Sequence, residues 1–153
     1  MPTNEVTLAD ITFIDADDGL RTRIGQEWNE QAARHMHIED GFSIVGFHED
    51  CPISLISVYW KPLPPPLPPT QEGYIDTIEV LEPYRRKGIA RKMVELSLKR
   101  AEEKGVYQVR AWSTNDKLEA IPMWKSLGFA LCPVTHGMWG VEITGYFVAK
   151  RLE

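Results

Sequence analysis

The chain has 153 residues, with 17 Lys and Arg against 22 Asp and Glu and a formal charge of −5 at neutral pH. That length suits one domain, residues 1–153, able to bury about two thirds of its unfolded surface without staples. The acidic balance argues against a nucleic-acid partner, whose affinity rests on clustered Lys and Arg.

In chain order, the first residues, Met-Pro-Thr-Asn-Glu-Val, carry no basic stretch followed by an apolar one, and no later run approaches the length of a membrane span. A cytoplasmic protein with no membrane partner is expected. Ile11 to Ile14 reads as a strand, and Leu20, Ile24 and Trp28 mark one face of a helix running to about Met36. Phe42 to Phe47 and Ile53 to Trp60 read as two strands joined by the polar turn from His48 to Pro52. The proline run from Pro62 to Thr70 cannot pair inside a sheet and is expected as a stiff polyproline II connection, with a docking segment for an SH3-like partner as the other reading. Tyr74 to Val80 is a strand ended by Glu82-Pro83, and from Gly88 an apolar stripe, Ile89, Met93 and Leu96, opens a helix that stops near Lys104-Gly105. Tyr107 to Trp112 is a strand, and Glu119 to Leu127 is a helix closed by Gly128, with Pro122 fitting only near its first turn. Phe129 to Val134 and Val141 to Val148 supply two last strands around a loop, Thr135 to Gly140. There is no internal repeat, and the sum is an α/β domain with a mixed sheet of about seven strands and about four helices.

Cys51 and Cys132 give no disulfide framework and no metal-ligand spacing, and are expected as small buried hydrophobes in a reducing compartment. His35 and His37 could be two ligands, but residues i and i+2 do not face each other on a helix, and His48 and His136 have no partner pattern; no metal is assigned. Trp28, Trp60, Trp112 and Trp139 are expected as core or pocket wall.

The junction at Gly88 carries the chemistry. A strand there runs into a helix start whose first N–H groups have no intrahelical acceptor and whose dipole places partial positive charge at the end. Phosphate oxygens bind such a terminus through backbone alone. Gly88 and Ala90 matter for what they lack, since a side chain there would hold phosphates off the backbone, while Arg85, Arg86, Lys87 and Arg91 add cations. The apolar residues of the preceding strand change parity, Ile75 on one face and then Ile78 and Val80 on the other, which suggests burial on both faces or a β-bulge.

The spacing Arg85-x-x-Gly88-x-Ala90 resembles the [RQ]-x-x-G-x-[GA] motif of the GNAT superfamily of acyl-CoA-dependent N-acyltransferases. About 30 residues on, Asn115 to Phe129 looks like that family's second cofactor motif ending in Gly-Phe. The resemblance covers about residues 40 to 150. It implies the GNAT fold, with a bulged strand that splays the sheet, and acetyl-CoA as acyl donor with no metal. Ile78 and Val80 would offer main-chain groups to pantetheine. Arg85, Arg86, Lys87, Gly88, Ile89, Ala90 and Arg91 would hold the pyrophosphate, and Asn115 and Trp124 would lie near the cofactor. Trp124 stands where many members place a tyrosine, and indole N–H cannot release a proton to a thiolate. Asn115 has a helix cap as its other reading.

Acyl transfer to an amine needs a neutral nucleophile, so an ammonium must lose a proton. By the resemblance, Asp76 is the first candidate to take it, directly or through water, Tyr74 the second and Glu79 the third; each has a packing or surface reading beside the catalytic one. The expected function is acetyl transfer from acetyl-CoA to a primary amine of a small molecule or peptide. Transfer of a longer acyl group and a catalytically silent CoA-binding or interaction module are the alternatives. A homodimer stays open. Asp15, Asp17, Asp18, Glu39, Asp40 and Glu72 lean towards a cationic acceptor, with a solvated acidic surface as their plain reading.

Overall fold

The computed structural model describes residues 5–67, 69–138 and 141–152, with positions 115, 116, 136–138 and 141–143 described by backbone alone. Seven strands form one mixed sheet: β1 (Ile11–Asp15), β2 (Gly41–His48), β3 (Cys51–Pro62), β4 (Gln71–Val80), β5 (Gln108–Thr114), β6 (Ala130–Met138) and β7 (Val141–Arg151). Their order is β1-β2-β3-β4-β5-β7-β6. The helices are α1 (Asp18–Glu27), α2 (Glu30–Arg34), α3 (Ile89–Lys104) and α4 (Ile121–Ser126). Two compact units divide the chain, residues 1–59 with 76–97 and residues 60–75 with 98–153, so that β4 passes from one to the other between Ile75 and Asp76.

In the first unit β1, β2 and β3 form an antiparallel meander. Its core joins Ile24 of α1, Ala32 of α2 and Met36 to Val45, Phe47 and Leu55, all at most 9% exposed, with Leu20 and Trp28 packed against them. The stretch expected as one helix from Leu20 to Met36 is two. Asn29 leaves helical geometry and its side chain accepts from the Ala32 N–H at 2.7 Å, capping α2, while Trp28 donates its indole N–H to the Pro52 carbonyl. An Asn that can satisfy an orphan helix donor restarts a helix as readily as it continues one. Cys51 is exposed rather than buried, because it opens β3 beside the turn at Glu49-Asp50.

In the second unit β6 and β7 form a hairpin, β7 pairs antiparallel with β5, and Glu72–Ile75 of β4 run parallel to β5. The expected loop from Thr135 to Gly140 is shorter, since the hairpin register continues to Met138 opposite Val141; Trp139 and Gly140 lie outside the described residues. Cys132 is exposed on β6, also contrary to expectation. The helix expected from Glu119 begins at Ile121, preceded by a 3-10 segment, Asn115–Ala120, with Pro122 in the first turn of α4. The proline segment closes on itself instead of running extended, with Leu63 buried and its N–H donating to the Thr70 carbonyl at 3.0 Å. Among the described residues no helix is long and apolar enough to cross a membrane.

Candidate functional site

The chain leaves α2 at His35, and Met36, 2% exposed, pins the next segment into the core of the first unit. Ser43 of β2 and Ser57 of β3 are register partners, both buried, with hydroxyls 3.0 Å apart. Together they grip the His37 backbone: Ser57 Oγ accepts the His37 N–H at 2.8 Å and Ser43 Oγ donates to the His37 carbonyl at 2.8 Å. The His37 ring lies stacked over Tyr59, centroids 4.5 Å apart. Its Nδ1 meets Asp40 at 2.9 Å and its Nε2 meets Oδ2 of Asp76 at 2.8 Å. His35 Nδ1 meets the same Asp76 oxygen at 3.2 Å. Asp76, the first residue of β4 in this unit, thus has two imidazoles on Oδ2, while Oδ1 is in neither bond.

Exposure grades along this row. His37 and Asp76 side chains are 19% and 25% exposed, Asp40 63%. The two histidines that a helix would turn apart converge because α2 ends at Arg34, so that His35 and His37 are no longer held at helical spacing. Asp40 three residues after His37 was the available sign that this pair serves a carboxylate.

Downstream in the same unit lies the turn expected to hold phosphate. Gly88 has φ +82°, and a Cβ placed there would meet nothing within 4 Å. Arg86 also takes a left-handed φ, +64°, and is exposed. Arg85 turns back on the strand, its Nε donating to the Val80 carbonyl at 2.8 Å, so one lone pair of that carbonyl is in use. Arg91 pairs with Glu95 at 3.1 Å. Lys87, Ala90 and Ile78 are half-buried, while Ile89 and Val80 are buried. Beside the turn, Tyr84 Oη lies 2.9 Å from His48 Nδ1.

Tyr74, Trp124 and Asn115 belong to the second unit. The Tyr74 ring lies against two cations, Arg110 at 4.9 Å and Lys61 at 5.3 Å. Arg110 in turn makes a bidentate pair with Glu72, both bonds 2.8 Å, and Gln108 donates to the same carboxylate at 3.0 Å. Glu72 is 1% exposed and belongs to no acidic surface. Burial works against its ionisation, but the hydrogen bonds from Arg110 and Gln108 and the charges of Arg110 and Lys61 outweigh it, holding the carboxyl below its usual range. Trp124 is 3% exposed and packs edge-on to Phe129, centroids 4.9 Å apart. The side chain of Asn115 lies outside the described residues. Glu79, near the end of β4 in the first unit, is exposed.

A family model described as the acetyltransferase (GNAT) family matches residues 10–129. A search of curated proteins finds no match. Among solved structures, Arabidopsis thaliana NAA60 in complex with acetyl-CoA aligns with a TM-score of 0.74 at 16% identity, over 93% of this chain and 99% of that one. Arabidopsis thaliana Naa50 in complex with the bisubstrate analogue CoA-Ac-MVNAL aligns at 0.72 and 16% identity, over 92% and 98%. The ribosomal-protein-S18-alanine N-acetyltransferase from Escherichia coli aligns at 0.68 and 16% identity, over 92% and 93%. Likeness at this identity concerns the fold.

Proposed function

Because the chain belongs to the acetyltransferase (GNAT) family and uses acetyl-CoA as acyl donor, we propose that it transfers the acetyl group directly, in a ternary complex, to a primary amine of a small molecule or peptide, with Asp76 taking the acceptor's proton. The observation that carries this reading is the Asp76 carboxylate, part-exposed on β4 and fixed through Oδ2 by His35 and His37. A carboxylate anchored through one oxygen presents the other in a set direction, which is what a general base needs before its basicity matters.

The chain fits its donor. The open space at Gly88 and the left-handed turn before α3 leave backbone accessible, and the start of a 16-residue helix supplies unpaired N–H groups. Gly88, Ile89, Ala90 and Arg91 would hold the pyrophosphate with Arg86 and Lys87 beside them. Arg85 would brace the turn, and Ile78 and Val80 would offer main chain to the pantetheine arm. Acetyl-CoA supplies the activated thioester. Asp76 binds the ammonium, removes its proton and leaves a neutral amine. Tyr74 and Glu79 are the alternates for that role, Tyr74 already sharing its ring face with Arg110 and Lys61. Trp124 contributes packing in this reading. The family match includes segments of both units, which supports one acetyltransferase domain over residues 1–153. A peptide α-amine is the favoured acceptor, supported by similar structures that carry a peptide-based bisubstrate analogue or act on a ribosomal-protein alanine.

The test is Asp76→Asn, which keeps shape and removes the base. Its kcat/KM should fall by about 2 to 4 orders of magnitude at pH 7 and recover in part at high pH, where the amine arrives neutral. Tyr74→Phe should retain most turnover. Near wild-type activity of Asp76→Asn at pH 7 would move the role to Tyr74 or Glu79.

A further inference from the structure

His48, which has no partner pattern in the sequence, finds a partner in the fold. It ends β2 opposite Cys51, across the turn at Glu49-Asp50, and its Nδ1 lies 2.9 Å from the Tyr84 hydroxyl with the rings edge-on, centroids 5.5 Å apart. Both side chains are half-buried. Either tautomer of the ring makes this bond: a bare Nδ1 accepts the phenol O–H, and an Nδ1–H donates to the phenol oxygen. Tyr84 closes the 3-10 segment Glu82–Tyr84, and the residues that follow, Arg85 to Gly88, form the turn assigned above to the pyrophosphate.

That turn does not hold itself. Arg86 and Gly88 both take left-handed φ, +64° and +82°, and Arg86 does so with a side chain, a conformation that persists only where the surroundings fix it. The exit of the turn is fixed by α3, whose Lys92 N–H donates to the Gly88 carbonyl at 3.0 Å. The entry is fixed by Arg85 Nε on the Val80 carbonyl and by the Tyr84 N–H on the Leu81 carbonyl, both at 2.8 Å. These contacts stay within the segment that they brace. The Tyr84 hydroxyl reaches out of it to β2, which is not a neighbour of β4 in the sheet. Resting on the assignment of this turn to the cofactor pyrophosphate, we propose that Tyr84 and His48 are positioning residues for acetyl-CoA, whose hydrogen bond holds the turn in its binding conformation before the cofactor arrives. They act through the backbone of Arg85 to Gly88 and not as phosphate ligands. A turn that keeps its shape binds with its intrinsic affinity, and one that visits other shapes binds more weakly in proportion to the time spent in them.

The experiment titrates acetyl-CoA into the full chain by calorimetry and follows melting of the ligand-free protein beside it. Tyr84→Phe removes only the hydroxyl and should weaken binding about fivefold, within the range of one hydrogen bond, while the ligand-free melting point moves by less than about 2 °C. His48→Leu should lose the same amount, and the double variant should bind no more weakly than either single one, because both remove one shared bond. His48→Asn, whose side-chain amide can donate or accept as Nδ1 does, should bind close to wild type. Tyr84→Phe within twofold of wild type overturns the proposal. So does a double variant whose losses multiply, or an affinity loss that comes with a melting point lowered by more than about 5 °C, since the bond then serves the fold and not the turn. Gly88→Glu separates this inference from the assignment beneath it. If Gly88→Glu binds acetyl-CoA as wild type does, the turn is not the phosphate site and the positioning role falls with it. If Gly88→Glu gives no heat while Tyr84→Phe binds like wild type, the phosphate site stands and the positioning role fails.

Discussion

Two residues show how one side chain can be tested for chemistry apart from folding. At Gly88 a side chain has room, since a Cβ there meets nothing within 4 Å, but must accept φ +82°. The strain is worth roughly 1–2 kcal/mol. Gly88→Glu should therefore remain folded, with a melting point a few degrees lower, while its acidic chain sits where phosphate oxygens would. Titration calorimetry should show heat on adding acetyl-CoA to wild type and none for Gly88→Glu; equal heats would remove the phosphate role from this turn. Glu72 is the opposite case. Glu72→Gln should cost roughly 3 kcal/mol at pH 7, because it leaves Arg110 without its buried partner. The folded-state carboxyl titrates below its ordinary value. Its contribution is thus present above the unfolded-state pKa and lost as pH falls through the folded one. Urea unfolding of wild type and Glu72→Gln should differ most near neutrality and converge as pH falls through the lowered folded-state range of this carboxyl.

At the scale of elements, the break between α1 and α2 matters most. Asn29→Ala removes the acceptor of the Ala32 N–H and should cost about 1 kcal/mol in denaturant unfolding. It should also lower turnover, since α2 ends at the residue before His35. Unchanged stability would mean that water replaces the cap. This break also marks where the sequence became hard to read. The strand ending at Val80, the helix after Gly88 and the stop before Gly105 were legible because glycine and proline impose local geometry that neighbours do not override. The single helix drawn from Leu20 to Met36 failed because Leu20, Ile24 and Ala32 keep helical spacing across Asn29, so periodicity passes over a cap. That error hid His35 and His37, whose convergence depends on the helix having ended. The burial expected of Cys51 and Cys132 failed for another reason. A thiol takes its surroundings from the strand face it lands on, and that face is set by register, which at Cys51 follows the bulge between Gly46 and Phe47 and is not written in the residue type.

Over the whole molecule, the expected α/β sheet of seven strands with four helices is present, and the family was legible from two short motifs because both are backbone requirements. The acceptor was not legible, and the surroundings of Asp76 were not either, since its contact with His37 joins residues 39 positions apart. The serine clamp has a consequence measurable in time. The His37 amide lies in an irregular connection between α2 and β2, where exchange with solvent deuterium is ordinarily fast. Here its proton is given to the hydroxyl of Ser57, a fully buried side chain. Releasing it requires the β2–β3 pair to open. The His37 amide should therefore exchange at the slow pace of Ile44 and Ile56 in those strands, while the amide of nearby Glu39 exchanges within the dead time. A fast His37 amide would mean that the ring is held only part of the time. A slow one would mean that the connection between α2 and β2 keeps its shape for as long as the sheet beneath it does.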